Sequence, residues 1–353
     1  MEHHEVVIVG AGPGGATAAK LLAEKGKDVL VIEREKEKKI GIKCCAGALS
    51  PKIYSQQPEK LFERYIYGVN VNFPSGKVVE INASKPIMAM ISRHELGQHL
   101  LNSATNAGAE LMDDSRVTKV NRTDKEVIVN GKSIKYDILI GADGTNSIVR
   151  RSLGLKNRDS LWCQWTVDNP DNKDKVEVYF DFSLCGLGTI YAFPHDDYIA
   201  VGGGGPMPLK PISELRDNIA KFLRKGGYDL DKAEFGGAGI NYNYQGHRFG
   251  NLYLVGDAGG FSNLVTGEGI AQAIISAEMV VCEILNKNKK EEGKKLLESM
   301  KRDQQLLTFH DLTLGWMSNR EFIYNFLNFG SRFLPYFLLL EKNRIIDGWL
   351  KGL

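Results

Sequence analysis

Three glycine-rich segments follow one another along the chain: GAGPGG at Gly10 to Gly15, GADG at Gly141 to Gly144, and GDAGG at Gly256 to Gly260, the last followed by TGEGI at Thr266 to Ile270. The first segment lies after the apolar run Val6-Val7-Ile8-Val9 and before a helical pattern from Ala16 to Lys25. Glu33 comes next, at the end of Val29-Leu30-Val31-Ile32. Strand, turn, helix, strand and acid in that order are the parts of a dinucleotide site. Gly10 permits the tight turn, Gly12 lets backbone N–H groups approach a pyrophosphate, and Gly15 lets helix and strand pack closely, with the positive end of the helix toward the phosphates. Glu33 would accept hydrogen bonds from the adenosine ribose. The third segment follows a second buried-strand run, Leu252-Tyr253-Leu254-Val255, so Asp257 leaves a strand end where a carboxylate can hold a ribityl or ribose hydroxyl. Gly267 and Gly269 then open a helix through Ile270, Ala273, Ile274 and Ala277, whose first N–H groups could stabilise negative charge on a reduced isoalloxazine ring. A nicotinamide needs no such arrangement, and the segments together outline a site for FAD.

The elements that must position these residues are interleaved. The cofactor fold falls to 1–50, 93–158 and 250–285, because one motif lies in each stretch, and a substrate domain fills 51–92 and 159–249, with a helical region over 286–353. The expected class is α/β: a Rossmann-like FAD-binding domain interleaved with an antiparallel-sheet substrate domain, plus a short helical C-terminal region. Alternation marks strands at Val69 to Phe73, Lys77 to Ile81, Val176 to Phe180 and Tyr198 to Val201. Arg93 to Ala107 reads as a helix, and Val127-Ile128-Val129 with Ser133-Ile134 as a hairpin around Asn130-Gly131. Lys287 to Arg302 reads as a solvated helix. Phe322 to Leu340 is apolar and aromatic, but polar residues and Pro335 interrupt it, which makes it a poor transmembrane span. It reads as packing against the substrate domain or as an interfacial segment that admits a lipid tail.

With 353 residues, 43% hydrophobic and 25% charged, the chain can bury a large core, and a net charge of +2 offers no global case for nucleic-acid binding. The cysteines Cys44, Cys45, Cys163, Cys185 and Cys282 are odd in number and lack CxxC spacing, so neither a disulfide framework nor a metal site is expected. This usage, and a strand beginning within a few residues of Met1 without an apolar leader, suits a reducing cytoplasm.

The chain resembles the FAD-dependent oxidoreductases of the p-hydroxybenzoate hydroxylase fold, and within them the geranylgeranyl reductase family. The resemblance rests on GAGPGGATAA, CCAGALS at Cys44 to Ser50, SRHELGQHLL at Ser92 to Leu101, GADGTNSIVR at Gly141 to Arg150, and VGDAGGFSNLVTGEGIAQAI. What points to the reductases is the cysteine loop, which resembles C-x-G-G-L-S, the TGEGI phrase, and GTIYAFP at Gly188 to Pro194, similar to the family's G-Y-x-W-x-F-P strand. Departures cluster at the substrate end: Thr189 and Tyr191 stand for Tyr and Trp, Ala48 for a glycine, and Leu264 for a proline. The chain is also short at its C-terminal end for this family, so a pocket wall there would be reduced.

The resemblance implies that Gly14, Arg34, Cys45, Ala46, Ala48, Arg93, Val117, Asp143, Gly144, Gly256 and Ile270 join the residues above in holding FAD. Asp143 reads equally as a cap for the following helix and Arg93 as an exposed helix start. Cys45 is the catalytic candidate, as a proton donor or as a small packing residue, while Cys282 reads as core. Tyr191, Phe193, Pro194, Phe180 and Phe182 are expected along the substrate wall. The implied reaction is reduction of isolated carbon–carbon double bonds in an isoprenoid chain. Its partners would be a prenylated lipid, NAD(P)H or ferredoxin as electron donor, and a membrane surface at which a cytoplasmic enzyme works peripherally. An aromatic hydroxylase of the same fold and a flavin-only carrier to quinone are the alternatives; a halogenase lacks its W-x-W-x-I-P strand.

Overall fold

A computed structural model of the chain describes residues 2–157, 159–169, 172–181, 184, 188–205, 212–263, 267–288 and 290–316. The chain forms two compact units, one from Met1–Ile42, His94–Asp159 and Ile240–His310, the other built on Lys43–Arg93 and Ser160–Gly239. Residues 43–50 thus belong to the second unit and the segment after 286 begins in the first. Phe322 to Leu340 lies outside the described residues.

The first unit is organised by an eight-stranded sheet in which Glu110–Met112, Val29–Ile32, Glu2–Val9, Lys132–Gly141 and Leu252–Leu254 run parallel in that order, closed by antiparallel Arg248–Phe249. Parallel strands covered on both faces must be apolar at every position. Val6 and Ile8 accordingly enter one core with Val29 and Val31, and Val7 and Val9 enter another with Leu30 and Ile32. The first core is covered by the helices Pro13–Ala23, Arg93–Asn106 and Ile270–Ile284, the second by the strands Val117–Asn121 and Glu126–Val129 and the helix Ile148–Ser152. The hairpin at Asn130-Gly131 forms as read: Val129 faces Lys132, and both turn residues have positive φ, 49° and 81°.

The second unit holds a seven-stranded sheet in the order 234–241, 159–168, 198–205, 189–194, 176–179, 68–72 and 78–82. It is not purely antiparallel, because Val176–Tyr179 runs parallel to Gly68–Asn72. One face is covered by the helix Ile212–Lys225, whose Leu215, Ile219 and Leu223 pack on Cys163, Trp165, Ile190 and Val201. A separate three-stranded antiparallel sheet, 48–49, 88–91 and 62–66, carries the end of the cysteine loop.

Two sequence readings need correction. The segment read as a solvated helix is the N-terminal part of a helix over Glu291–Trp316, and one side of it is core: Leu296 and Met300 pack on Phe261 and Met279. Cys282, read as core, is only half-buried, because the buried stripe of its helix runs through Met279, Val280 and Val281. Met300 is 1% exposed. Met300→Ala should therefore destabilise the first unit by about 2–4 kcal/mol, read as a lowered urea midpoint at unchanged slope. A solvated side chain would give less than about 0.5 kcal/mol.

Candidate functional site

Space around the glycines of the first turn shows which of them serve packing. A Cβ on Gly10, whose φ is +102°, would lie 2.5 Å from the carbonyl oxygen of Ala142, and one on Gly15 would lie 1.9 Å from that of Gly10. On Gly14 it would meet the Ala273 carbonyl oxygen and Val255 Cγ2, both at 3.1 Å. Gly12 is different: its nearest neighbour, the Ala142 carbonyl oxygen, is 4.0 Å away, and its φ of −65° suits any residue. The turn is therefore closed by backbone on three sides and open over Gly12, where a pyrophosphate must approach. Pro13 opens the helix, no acidic residue occupies its first turn and no side chain caps it, so nothing within the helix itself offsets its positive end. Glu33 is fixed beside this turn, its Oε2 accepting from the Ala11 N–H at 2.7 Å and its Oε1 from the Glu35 N–H at 3.0 Å. This cradle and donor set fit FAD.

The other two glycine segments close on the same unit. Asp257 lies on a short 3-10 turn, Gly256–Ala258, after the strand Leu252–Leu254; its Oδ2 accepts from Thr145 Oγ1 at 3.3 Å and its Oδ1 from Ser262 Oγ. A Cβ on Gly269 would lie 3.5 Å from Asp257 Oδ1, and Gly269 is the N-cap of the helix Ile270–Ile284. Gly267, described just before it, has φ +68°. That helix also begins without an acidic residue or a side-chain cap. The turn is braced by Asn241, whose Nδ2 donates to the Asp257 carbonyl at 3.0 Å, and by Ser276 Oγ, which accepts from the Gly256 N–H at 3.0 Å.

Sequence reasoning left Arg150 without a role, though it stands at the end of GADGTNSIVR. Only 1% exposed, it donates to the carbonyls of Asp257 at 3.2 Å, Ala258 at 3.1 Å, and Thr145. It ties the second glycine segment to the third. Asp143 supports the start of the following helix, Ile148–Ser152, its Oδ2 accepting from Ile148 N–H at 2.6 Å beside the N-cap Ser147, and burial pushes its carboxyl above the usual range. Gly144 follows at φ +73°. Val117 is a buried strand residue packed in the second core. Arg34 is exposed and pairs with Glu35 at 3.5 Å. Glu268, unassigned from sequence, has its carboxyl raised by burial and accepts from Gln272 Nε2 at 3.2 Å.

Cys45, Ala46, Ala48, Arg93 and the substrate-wall candidates belong to the second unit. Arg93 opens the helix Arg93–Asn106. Tyr191 is buried and donates from its hydroxyl to Gln164 Oε1 at 3.1 Å; Gln164 Nε2 in turn donates to the Cys45 carbonyl at 3.3 Å. Gly202 lies opposite both residues in the sheet, and a Cβ there would sit 3.0 Å from the Tyr191 hydroxyl oxygen. The glycine run Gly202 to Gly205 thus allows a side-chain hydrogen bond to cross a strand, a use of strand glycine that could have pointed to Gln164. Trp162 and Phe193 flank Tyr191, with ring centroids 6.1 and 5.3 Å away. Pro194 is buried at the end of the same strand. Phe180 stacks on Phe73 at 6.0 Å and packs, as does Phe193, against the core of Val69, Val71 and Ile81. Phe182 lies outside the described residues. Burial holds the Tyr191 hydroxyl well above the usual phenol range and pushes the Cys44 thiol up to about 11.

A family model described as the FAD binding domain matches residues 3–183. An uncharacterized protein of Methanosarcina barkeri is 32% identical, over 79% of this chain and 75% of the relative. Digeranylgeranylglycerophospholipid reductase 2 of Methanosphaera stadtmanae is 30% identical, over 77% of this chain and 75% of the relative. The crystal structure of a geranylgeranyl bacteriochlorophyll reductase-like protein from Thermoplasma acidophilum shares the fold, with a TM-score of 0.72 at 24% identity over 86% of this chain and 84% of that one. The chain belongs to the geranylgeranyl reductase family of FAD-dependent oxidoreductases, and FAD is its cofactor.

The open space at Gly12 and the closed space at Gly15 separate binding from folding. Gly12→Ala should keep the native circular dichroism while its flavin-fluorescence titration shows FAD binding weakened at least about tenfold. Gly15→Ala should yield no folded protein. Cys44 should be alkylated at pH 8 at roughly a thousandth of its limiting rate, because a thiol at about 11 is almost wholly protonated there, and the rate should rise tenfold per pH unit up to that value.

Proposed function

We propose that this enzyme saturates carbon–carbon double bonds in an isoprenoid, geranylgeranyl-type chain carried by a lipid, the substrate class that its reductase relatives are named for. The observation that carries the reading is the neutral aromatic sheet face beside the cysteine loop: Trp162, Tyr191 and Phe193 with glycines opposite, and a phenol that burial keeps un-ionised. An isolated alkene offers no polar handle, so packing and exclusion of water must orient it. Such a face suits it; a charged substrate would meet no counter-charge from these residues.

Bound and reduced, FAD supplies a hydride from N5 of its ring. The Gly10–Gly15 turn and the helix start at Pro13 would hold the pyrophosphate, Glu33 the adenosine ribose, and Asp257, oriented by Thr145 and Ser262, the ribityl end. The start of the helix Ile270–Ile284 would offset negative charge on the reduced ring. In this reading the Cys45 thiol gives the proton to the second carbon. The Gly47 N–H donates to its sulfur at 3.4 Å, which stabilises the anion left behind. Electrons reach the site from NAD(P)H or a ferredoxin-type carrier, and the enzyme works in the cytoplasm at the membrane surface that holds its lipid. Among the described residues no helix is long and apolar enough to cross a membrane.

The test is anaerobic photoreduction of the holoenzyme followed by addition of a geranylgeranyl ether lipid in vesicles. Mass analysis should show gains of hydrogen in pairs, with the flavin reoxidised in step. Oxygen incorporation under air would replace the reading with hydroxylation. Cys45→Ser should lower the reoxidation rate by roughly a hundredfold at unchanged FAD content, and a full rate would remove Cys45 as the proton source.

A further inference from the structure

His195, at the end of the strand Thr189–Pro194, is 1% exposed and has both ring nitrogens engaged. Its Nε2 lies 3.0 Å from the carbonyl oxygen of Ala46, and its Nδ1 meets the Glu63 carboxylate. The Tyr198 ring stacks on the imidazole, with centroids 4.1 Å apart and planes 12° from parallel. A carbonyl only accepts, so Nε2 carries a hydrogen. A second proton must then sit between Nδ1 and Glu63, since a bare nitrogen would set its lone pair against a carboxylate in a buried place. Stacking fixes the ring plane, and the carbonyl on the far side from Glu63 requires a hydrogen on Nε2.

Ala46 follows Cys45 directly, and its carbonyl shares one rigid peptide plane with the N–H of Gly47. The oxygen of that plane is held by His195, and the N–H on its opposite side donates to the Cys45 sulfur at 3.4 Å. The two flanking carbonyls are also held, that of Cys45 by Gln164 Nε2 at 3.3 Å and that of Gly47 by the Ile91 N–H at 2.9 Å. Gly47 has φ +72°, and a Cβ there would lie 2.4 Å from the Ile91 carbonyl oxygen and 2.9 Å from His195 Cε1, so that carbonyl and the imidazole together fill the space a side chain would need. The loop is clamped at three consecutive carbonyls. Only the middle one sets the peptide that faces the thiol.

We propose that His195, backed by Glu63, is a positioning residue for Cys45: it fixes the 46–47 peptide plane and so aims the Gly47 N–H at the sulfur. This does not rest on the substrate reading, because the readout is thiol chemistry rather than turnover.

The experiment is alkylation of the holoenzyme by iodoacetamide at pH 7.5, with Cys45 and Cys44 followed separately by peptide mass analysis. His195→Phe keeps the ring on Tyr198 but removes the donor; without it the peptide can turn, the sulfur loses its N–H, and Cys45 should react roughly fivefold more slowly relative to Cys44. His195→Gln, whose Nε2 can still donate to Ala46, should restore the ratio to within about twofold of the parent. A ratio unchanged in the folded Phe variant, or equally altered in both variants, overturns the proposal. Should His195→Phe not fold, imidazole nitrogen NMR of the unaltered holoenzyme decides. The proposal requires a protonated, slowly exchanging Nε2 on His195, identified by its loss in His195→Gln, and an unprotonated Nε2 refutes it.

Discussion

Nothing larger than hydrogen can stand on Gly15, because a methyl group there would lie 1.9 Å from the Gly10 carbonyl oxygen. That contact lets the helix Pro13–Ala23 start directly on the end of the strand Glu2–Val9. Gly10 against Ala142 and Gly14 against Ala273 repeat the principle with residues far away in the chain. The cofactor turn is therefore less a local loop than the point where three distant stretches press backbone on backbone. Contacts of this kind are stiff: the interior is close-packed, and no side chain at these points can adapt. They set where the two helix starts, at Pro13 and at Ile270, lie within the first unit, and so where negative charge can be held.

Arg150 shows what such an arrangement costs and how it is met. A guanidinium taken out of water is expensive unless its donors are satisfied. Here its acceptors are main-chain carbonyls from two glycine segments, at Thr145, Asp257 and Ala258. Hydrogen bonds from a charged donor contribute about 1.5–3 kcal/mol each, enough to offset much of the burial. A lysine could not span these acceptors with a planar fork. Asp257 is thus oriented from two directions, its backbone by Arg150 and Asn241 and its carboxylate by Thr145 and Ser262.

How much of this was legible in the sequence depends on the range of each interaction. The apolar runs at Val6 to Val9 and Val29 to Ile32, the hairpin at Asn130-Gly131 and the helix start at Ile270 follow from period and turn chemistry, which act over a few residues, while the first helix, read from Ala16, begins three residues earlier at Pro13. The solvated reading of 287–302 failed because its lysines and glutamates outweigh Leu296 and Met300, and only the partner surface at Phe261 and Met279 shows that those two matter. Glu63 and His195 are 132 positions apart, and nothing in the local sequence of either marks the pair. Gln164 was equally silent, although the four glycines of the neighbouring strand announced that something must pass over them. Phe180, read as a wall residue, is half-buried and stacks on Phe73, a contact across 107 positions that its local sequence does not mark.

The second unit uses polar groups in a way that bears on what it can accept. Tyr191, Gln164 and the loop carbonyl of Cys45 satisfy one another in series, and His195, Glu63 and the carbonyl of Ala46 do the same. In each series the hydrogen-bonding capacity is spent inside the protein, leaving little to recognise a polar ligand. Burial holds the Tyr191 phenol and the Cys44 thiol in their neutral forms, and the Glu63 carboxylate is engaged by His195. A surface built this way gains nothing from binding an ion and would lose the desolvation energy of doing so. It loses nothing by binding hydrocarbon. Under the proposed reading, preference for an apolar chain would follow from polar side chains being present and already satisfied, and it would weaken if any one of them were replaced by a group with a spare donor or acceptor.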